Sequence, residues 1–235
     1  MRFADVRPPV VAAGKMMSGQ RIRSYEGSDI TIRYDPKRCI HAAECVRGLG
    51  RVFNSNARPW INADGAPADE IAEVIHRCPT GALSYEVRGQ IQIGPPTVPV
   101  PVELSMCADG PIYVHGSFLV SSPAGESADG DTRLALCRCG ASDSKPYCDN
   151  SHVDVEFYDA GMVKTRTRES DGRDESLTIT LLPNGPVLLR GRFVLTSADG
   201  SSVFEGEKAA LCRCGESANK PFCDGVHSKI GFQAN

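Results

Sequence analysis

The chain lacks several features that would assign it to a common class. Nowhere in its 235 residues does an apolar run approach the roughly 20 residues that span a bilayer. No glycine-rich dinucleotide fingerprint appears, so flavin and nicotinamide have no recognisable cradle. No Ser-His-Asp or paired-carboxylate arrangement can be argued from the order of residues, and a hydrolytic reading has nothing to rest on. The net charge is −3, which gives no general attraction to nucleic acid. No secretory leader is read at the start; the expectation is a cytoplasmic protein whose thiols stay reduced. What the chain does have is cysteine. Ten are too many for an ordinary cytosolic enzyme.

Three cysteines and one histidine recur in one spacing. The first set is Cys137, Cys139, Cys148 and His152; the second is Cys212, Cys214, Cys223 and His227, each 75 residues after its counterpart. Ser105–His152 aligns with Thr180–His227 without a gap, with 19 of 48 positions identical, among them Gly110/Gly185, Gly116/Gly191, Phe118/Phe193 and Pro146/Pro221. Such a repeat means two copies of one structural unit, each too small to bury a core alone, so the pair is expected to pack together. Side chains at i and i+2 of an extended segment point the same way, so Cys-x-Cys presents two sulfurs to one metal. Pro146 and Pro221 stiffen the turn that returns the third Cys, and a His four residues on can share a second metal with it. Asp149 and Asp224 are expected to cap a short helix there. Arg138 and Arg213, inside the Cys-x-Cys pairs, read as solvent-facing packing, with tuning of the charge at the metal site as the alternative. Spacing alone leaves two readings open, because Cys₃His is also a set for structural zinc.

The segments Cys137-Arg-Cys-Gly-Ala-Ser-Asp-Ser-Lys-Pro-Tyr-Cys-Asp-Asn-Ser-His152 and Cys212-Arg-Cys-Gly-Glu-Ser-Ala-Asn-Lys-Pro-Phe-Cys-Asp-Gly-Val-His227 resemble the CDGSH iron–sulfur motif of the mitoNEET family, in its tandem form. The resemblance covers roughly residues 100–235. It implies a [2Fe–2S] cluster in each copy, Cys137 and Cys139 holding one iron and Cys148 and His152 the other, with Cys212, Cys214, Cys223 and His227 doing the same. Asn150 departs from the motif's usual Gly, and Asn tolerates a positive φ better than most residues. Val226 replaces the motif's Ser.

A third site is expected nearer the start. Cys39 and Cys45 are six residues apart, and Cys78-Pro79 follows. Bacterial ferredoxins use Cys-x₂-Cys-x₂-Cys with a later Cys-Pro; here Ala42 stands at the middle position. About residues 28–90 resemble the divergent single-cluster ferredoxins. Three thiolates suit a [3Fe–4S] cluster; a [4Fe–4S] cluster would need a substitute ligand, for which His41 is nearest. Ile30, Ile32 and Tyr34 alternate as a strand, Ala42–Leu49 reads as a short helix, and Ala68–Cys78 carries Ile71, Val74 and Ile75 on one face with Asp69 and Glu70 in its first turn. Leu83–Val87 is expected to pair with the first strand. The tenth cysteine, Cys107, reads as a core residue of a strand.

The fold expected is therefore α+β: a flexible basic tail over 1–24, a small ferredoxin-like α+β domain over 25–94, and two strand-rich CDGSH repeats, 95–160 and 161–235, packed as an intramolecular pseudo-dimer. Gly94-Pro-Pro-Thr-Val-Pro-Val-Pro101 is the stiff linker between them. Pro111–Val120 and Pro186–Leu195 read as strands of a shared β-sandwich, with Gly116 and Gly191 marking a bulge or close backbone approach. The function expected is electron carriage between redox partner proteins by a monomer, without nucleic acid, membrane or catalysis of its own. Cluster storage or transfer, redox or pH sensing, and a zinc-stabilised interaction module remain the alternatives. Resemblance to three-Cys ferredoxins adds the donor component of an oxygenase system.

Overall fold

A computed structural model describes residues 22–87, 90–92, 101–121, 127–167 and 176–234. The basic stretch up to residue 21 and nearly all of the Gly94–Pro101 linker lie outside these residues.

Two units follow each other along the chain. The first is a four-stranded antiparallel sheet, β1 (Arg23–Glu26), β2 (Ile30–Tyr34), β3 (Leu83–Val87) and β4 (Gln90–Gln92), in that order. β1 thus begins inside the stretch read as tail. The alternation of β2 places Ile30, Ile32 and Tyr34 inward, and β3 pairs with it as expected, Ile32 opposite Tyr85. Two helices lie between β2 and β3: α1 (Glu44–Gly48) and α2 (Ala68–His76). α2 buries Ile71, Val74 and Ile75 against the sheet, and Asp69 and Glu70 sit in its first turn, where the helix dipole favours them.

The second unit is a mixed six-stranded sheet. Repeat 1 supplies β5 (Val102–Met106), β6 (Ile112–Ser121) and β7 (Ser127–Leu136), then the short helix α3 (Ser151–Asp154). Repeat 2 supplies β8 (Leu177–Leu181), β9 (Val187–Thr196) and β10 (Val203–Leu211), then a 3₁₀ turn at Val226–Ser228. The repeats exchange strands. β5 lies antiparallel to β6 of its own repeat and parallel to β9 of the other, with Val102 opposite Phe193. β8 does the same with β9 and β6, with Leu177 opposite Phe118. The two parallel registers are related by the 75-residue offset. Instead of two separate sheets, β6 and β9 each serve both halves, pairing with one neighbour before a bend and with the other after it.

The bends fall at Gly116 (φ +144) and Gly191 (φ +106). A Cβ on Gly116 would meet the Val102 Cα at 2.9 Å, and one on Gly191 the Leu177 Cα at 2.9 Å. Both the positive φ and the close approach require glycine. One core results, built from both repeats: Leu104, Phe118 and Leu134 interlock with Ile179, Phe193 and Leu211.

Candidate metal centres

The N-terminal cysteines hang from the loop after β2 and from both helices. Cys39 follows β2, Cys45 lies in α1, and Cys78 follows α2; all three are half-buried against the N-terminal core. His41 (φ 54) and Ala43 (φ 62) take left-handed conformations that turn the loop into α1. Burial pushes the Cys45 thiol up to about 11, and the Cys78 and Cys39 thiols add to the shift. Burial and a hydrogen bond with Cys39 raise the Tyr34 hydroxyl above its ordinary range. Thr80 Oγ1 lies 3.7 Å from Cys78 Sγ. His41, the expected substitute ligand, is exposed. Ala42 packs instead with Ile40, Tyr113, Ala135 and Cys148, so the position of the missing cysteine faces repeat 1.

In the repeats the ligands arrive on a hairpin closed by backbone bonds. Cys137 N donates to Pro146 O at 2.9 Å and Cys148 N to Ala135 O at 2.9 Å; Cys212 N to Pro221 O and Cys223 N to Ala210 O, both 2.8 Å, repeat the pattern. Cys137 and Cys139 bring their sulfurs to 3.6 Å, as do Cys212 and Cys214. Cys148 Sγ and His152 Nδ1 are 3.4 Å apart. His227 differs: its Nδ1 lies 2.9 Å from the Asn184 carbonyl oxygen, and among the described residues no hydrogen bond joins it to Cys223. Three of the four donor pairs are therefore in place, Cys223 with His227 being the exception, and no three Cys, His, Asp or Glu side chains of the described residues converge on one point. Pairs of donors match a binuclear group better than one tetrahedral ion, for which four donors must meet around a single centre. Backbone N–H groups also face the sulfurs, from Ala141 to Cys139 (3.4 Å), Asn150 to Cys148 (3.5 Å) and Gly225 to Cys223 (3.3 Å). Such donors stabilise the thiolate that holds a metal. A hydrogen bond from Cys137 brings Cys139 down to about 6, while burial pushes Cys148 and Cys214 up to about 11. Loading these sites with a cation would release protons. The residues present fit an iron–sulfur group at each motif, with the His227 ring required to turn in the second.

The motif loops meet back to back. A Cβ on Gly140 would lie 2.5 Å from the Cys214 carbonyl oxygen, and one on Gly215 2.6 Å from that of Cys139. Beside this contact opens a cleft of about 550 Å³ lined by Cys139, Gly140, Cys214, Gly215, Phe157 and Tyr158.

Three expectations need correction. Arg138 and Arg213 are not solvent-facing; they are 3% and 2% exposed. Arg138 donates to the carbonyls of Gly110 (2.6 Å) and Cys107 (2.5 Å), pairs with Asp159 at 2.5 Å and stacks on Phe157. Arg213 donates to Gly185 (2.9 Å) and Leu182 (2.5 Å) and stacks on Phe232. Each arginine thus ties the turn before the second strand of its repeat to the Cys-x-Cys loop. Asp149 and Asp224 do not cap the helices; that position belongs to Asn150 (φ 73) and Gly225 (φ 86). The carboxylates instead staple the loop, Asp149 accepting from Asp143 N (2.8 Å) and Ser151 N (3.0 Å), Asp224 from Ala218 N (2.8 Å) and Val226 N (3.1 Å). Cys107 lies half-buried in the turn after β5.

Residues that pattern reading missed join the N-terminal unit to repeat 1. Arg133 is 4% exposed and donates through one nitrogen to the carbonyls of Ile75 (2.8 Å), His76 (2.6 Å) and Cys78 (2.8 Å). The Ile75 and His76 carbonyls end α2, where a cation is favoured, and that of Cys78 follows it. Arg38 answers from the cysteine loop, donating to Thr80 O (3.0 Å) and Arg133 O and lying 5.3 Å over the Tyr147 ring. Asn150 Nδ2 donates to Ile40 O at 2.7 Å. Ser142 and Ser217, which bond the carbonyls of Tyr147 and Phe222 at 2.6 Å, were also missed. Their identity in both copies was the available signal.

This is an iron-binding protein of three centres, one in the N-terminal unit and one in each repeat. Residues 25–88 match the family described as divergent 4Fe-4S mono-cluster, and residues 109–153 and 184–228 match that described as iron-binding zinc finger, CDGSH type. The chain is also similar to the uncharacterized protein YjdI of Escherichia coli K12, and of strain O157:H7, at 40% identity over 63 residues; that is 27% of this chain and 83% of each relative. The chain belongs to the iron–sulfur proteins that join a divergent 4Fe-4S mono-cluster domain to two CDGSH domains. No helix of the described residues is long and apolar enough to cross a membrane.

Proposed function

We propose that the chain is an electron carrier, not an enzyme: a cytoplasmic monomer whose repeats form an intramolecular pseudo-dimer and which exchanges electrons with redox partner proteins. The observation that carries this reading is the unbroken packing of the three centres. Ile40, next to Cys39 in the chain, shares a small buried cluster with Ala135 and Cys148 of repeat 1, and the Cys139 loop touches the Cys214 loop. Storage sites or separate interaction modules need no such series. Iron–sulfur clusters, when bound, supply one-electron chemistry at potentials set by ligands and hydrogen bonds. Cys137, Cys139, Cys148 and His152 would hold one [2Fe–2S] group, and Cys212, Cys214, Cys223 and His227 the other. Cys39, Cys45 and Cys78 supply three thiolates, and Ala42, where the ferredoxin spacing has its middle cysteine, supplies none, which favours [3Fe–4S] within a family described as 4Fe-4S.

Iron and acid-labile sulfide per chain, with EPR on protein purified without air, test the reading. About seven irons support the proposed clusters. Zinc without sulfide sinks them and leaves a zinc-stabilised module. Cluster transfer is the second reading, favoured by the half-exposed histidine ligands; iron and sulfide appearing together in an apo-ferredoxin would establish it. Imidazole ligation makes potential pH-dependent, because protonation competes with iron. The potentials of the CDGSH centres are expected to fall as pH rises, and the double substitution His152→Cys with His227→Cys to flatten that slope in a potentiometric titration. A slope that survives removes the histidines from the ligand set.

A further inference from the structure

The two repeats carry an equivalent outward face, and among the described residues only one of these faces is covered. On repeat 1 it consists of Tyr113 and His115 of β6 and Arg133 and Ala135 of β7, with Cys148 at its edge. The N-terminal unit lies on it, and exposure falls to 4% at Arg133, 2% at Ala135 and 3% at Cys148. The positions 75 residues on are Leu188 and Arg190 of β9, Lys208 and Ala210 of β10, and Cys223. There Arg190 and Lys208 are exposed, and Leu188, Ala210 and Cys223 are half-buried. Strand alternation sets Leu188 beside Arg190 and Lys208 beside Ala210 on one side of the sheet, and Lys208 sits directly opposite Arg190. Two cations so placed repel. Neither joins an ion pair among the described residues. Arg133, the counterpart of Lys208, spends its charge on three carbonyls of the N-terminal unit; among the described residues Lys208 has no such partner.

We propose that this face of repeat 2 docks a separate, small ferredoxin-type protein whose cluster loop is rimmed by carboxylates. The shape that fits the equivalent face is already in view, since the N-terminal unit fills it. The chain's own ferredoxin-like unit is engaged on repeat 1, so a second unit of that kind comes from outside. A unit of this size can stand alone: the E. coli relative has 83% of its own length in a 63-residue match to this chain. Carboxylates would answer Arg190 and Lys208, and an aliphatic side chain like Ile40 would rest on Leu188 and Ala210 next to Cys223. The proposal rests on the electron-carrier reading and adds where the partner binds and with what charge.

The full chain, purified with its iron and sulfide, is titrated with an acidic single-cluster bacterial ferredoxin at low ionic strength and at about 0.2 M salt. Carbodiimide cross-linking and peptide mapping follow. Binding that weakens with salt is expected, with a cross-link at Lys208. Arg190→Glu with Lys208→Glu should weaken binding at least about tenfold, the Gln pair less, and Glu103→Gln, on the outward side of β5, not at all. No complex at low salt, unchanged affinity in the charge-reversed chain, cross-links that avoid Lys208, or self-association that the charge reversal abolishes would each overturn the docking site. Reduction of the chain's own centres by dithionite needs no docking. If it fails in the unaltered protein, the electron-carrier reading falls whatever the binding titration gives.

Discussion

Repeat 1 and repeat 2 share a spacing, a register and a core, yet they differ at the hydrogen-bonding and stacking residues by which repeat 1 meets the N-terminal unit. Arg133 is a lysine in repeat 2, Asn150 a glycine, Tyr147 a phenylalanine and Asp159 an alanine. Three of the four repeat 1 residues bond to or stack with the N-terminal unit, and the fourth pairs with Arg138. Arg213, with Ala234 in place of that aspartate, keeps a buried Nη1 with no hydrogen-bond partner. The difference teaches that the fold of the motif is carried by what the copies share, and the assembly of the chain by what they do not.

Several substitutions sharpen this contrast. The shared core should respond alike in both copies: Phe118→Ala and Phe193→Ala are each expected to cost about 4 kcal/mol in denaturant unfolding, in one cooperative transition. Two separate transitions would show that the copies do not share a core. The arginines should respond differently. Asp159→Ala strands the Arg138 charge and is expected to cost about 3 kcal/mol. Ala234→Asp should gain stability by giving Arg213 a carboxylate, and a loss there would mean that the two arginines are not equivalent. Asn150→Gly removes only the bond to Ile40, since glycine accepts the same φ. It should cost about 1 kcal/mol and raise hydrogen exchange around Ile40, whereas Gly225→Asn leaves Ile40 unchanged.

The smallest effect concerns pH. Burial alone would raise the Asp149 carboxyl, but the Ser151 hydroxyl and the N–H groups of Ser151 and Asp143 outweigh it, and the group titrates below its ordinary range. A depressed folded value gives stability that is complete above about pH 4 and fades as pH falls through the lower folded value. Melting curves from neutral to acid pH should show Asp149→Asn less stable than the unaltered chain at pH 7, with the gap closing in acid. A constant gap would assign the loss to shape and not to charge.

Much of this was legible in the residues. Cysteine spacing and the 75-residue offset are local signals, and Gly116 and Gly191 announced their bends because no other residue fits there. The alternation of Ile30, Ile32 and Tyr34 and the apolar face of α2 likewise marked the N-terminal core. The strand exchange was not legible, because a parallel pairing such as Val102 with Phe193 has no turn that advertises it. Nor was the joint between the units, in which Arg38 meets Arg133 and Ile40 meets Asn150 across about a hundred positions. Burial of Arg138 was hidden by its charge, since an arginine enters a core only when carbonyls at fixed places receive it.

The exchange of β5 and β8 also sets an order of events during synthesis. Val102 emerges from the ribosome some ninety residues before Phe193, its parallel neighbour. Until β9 arrives, β5 has one free edge and the Cys-x-Cys loop of repeat 1 lacks the backbone of Cys214 behind Gly140. Pairings this distant close slowly and late. The first CDGSH centre, although encoded first, therefore gains its finished pocket only when the second has been translated, so both become ready for iron at nearly the same moment.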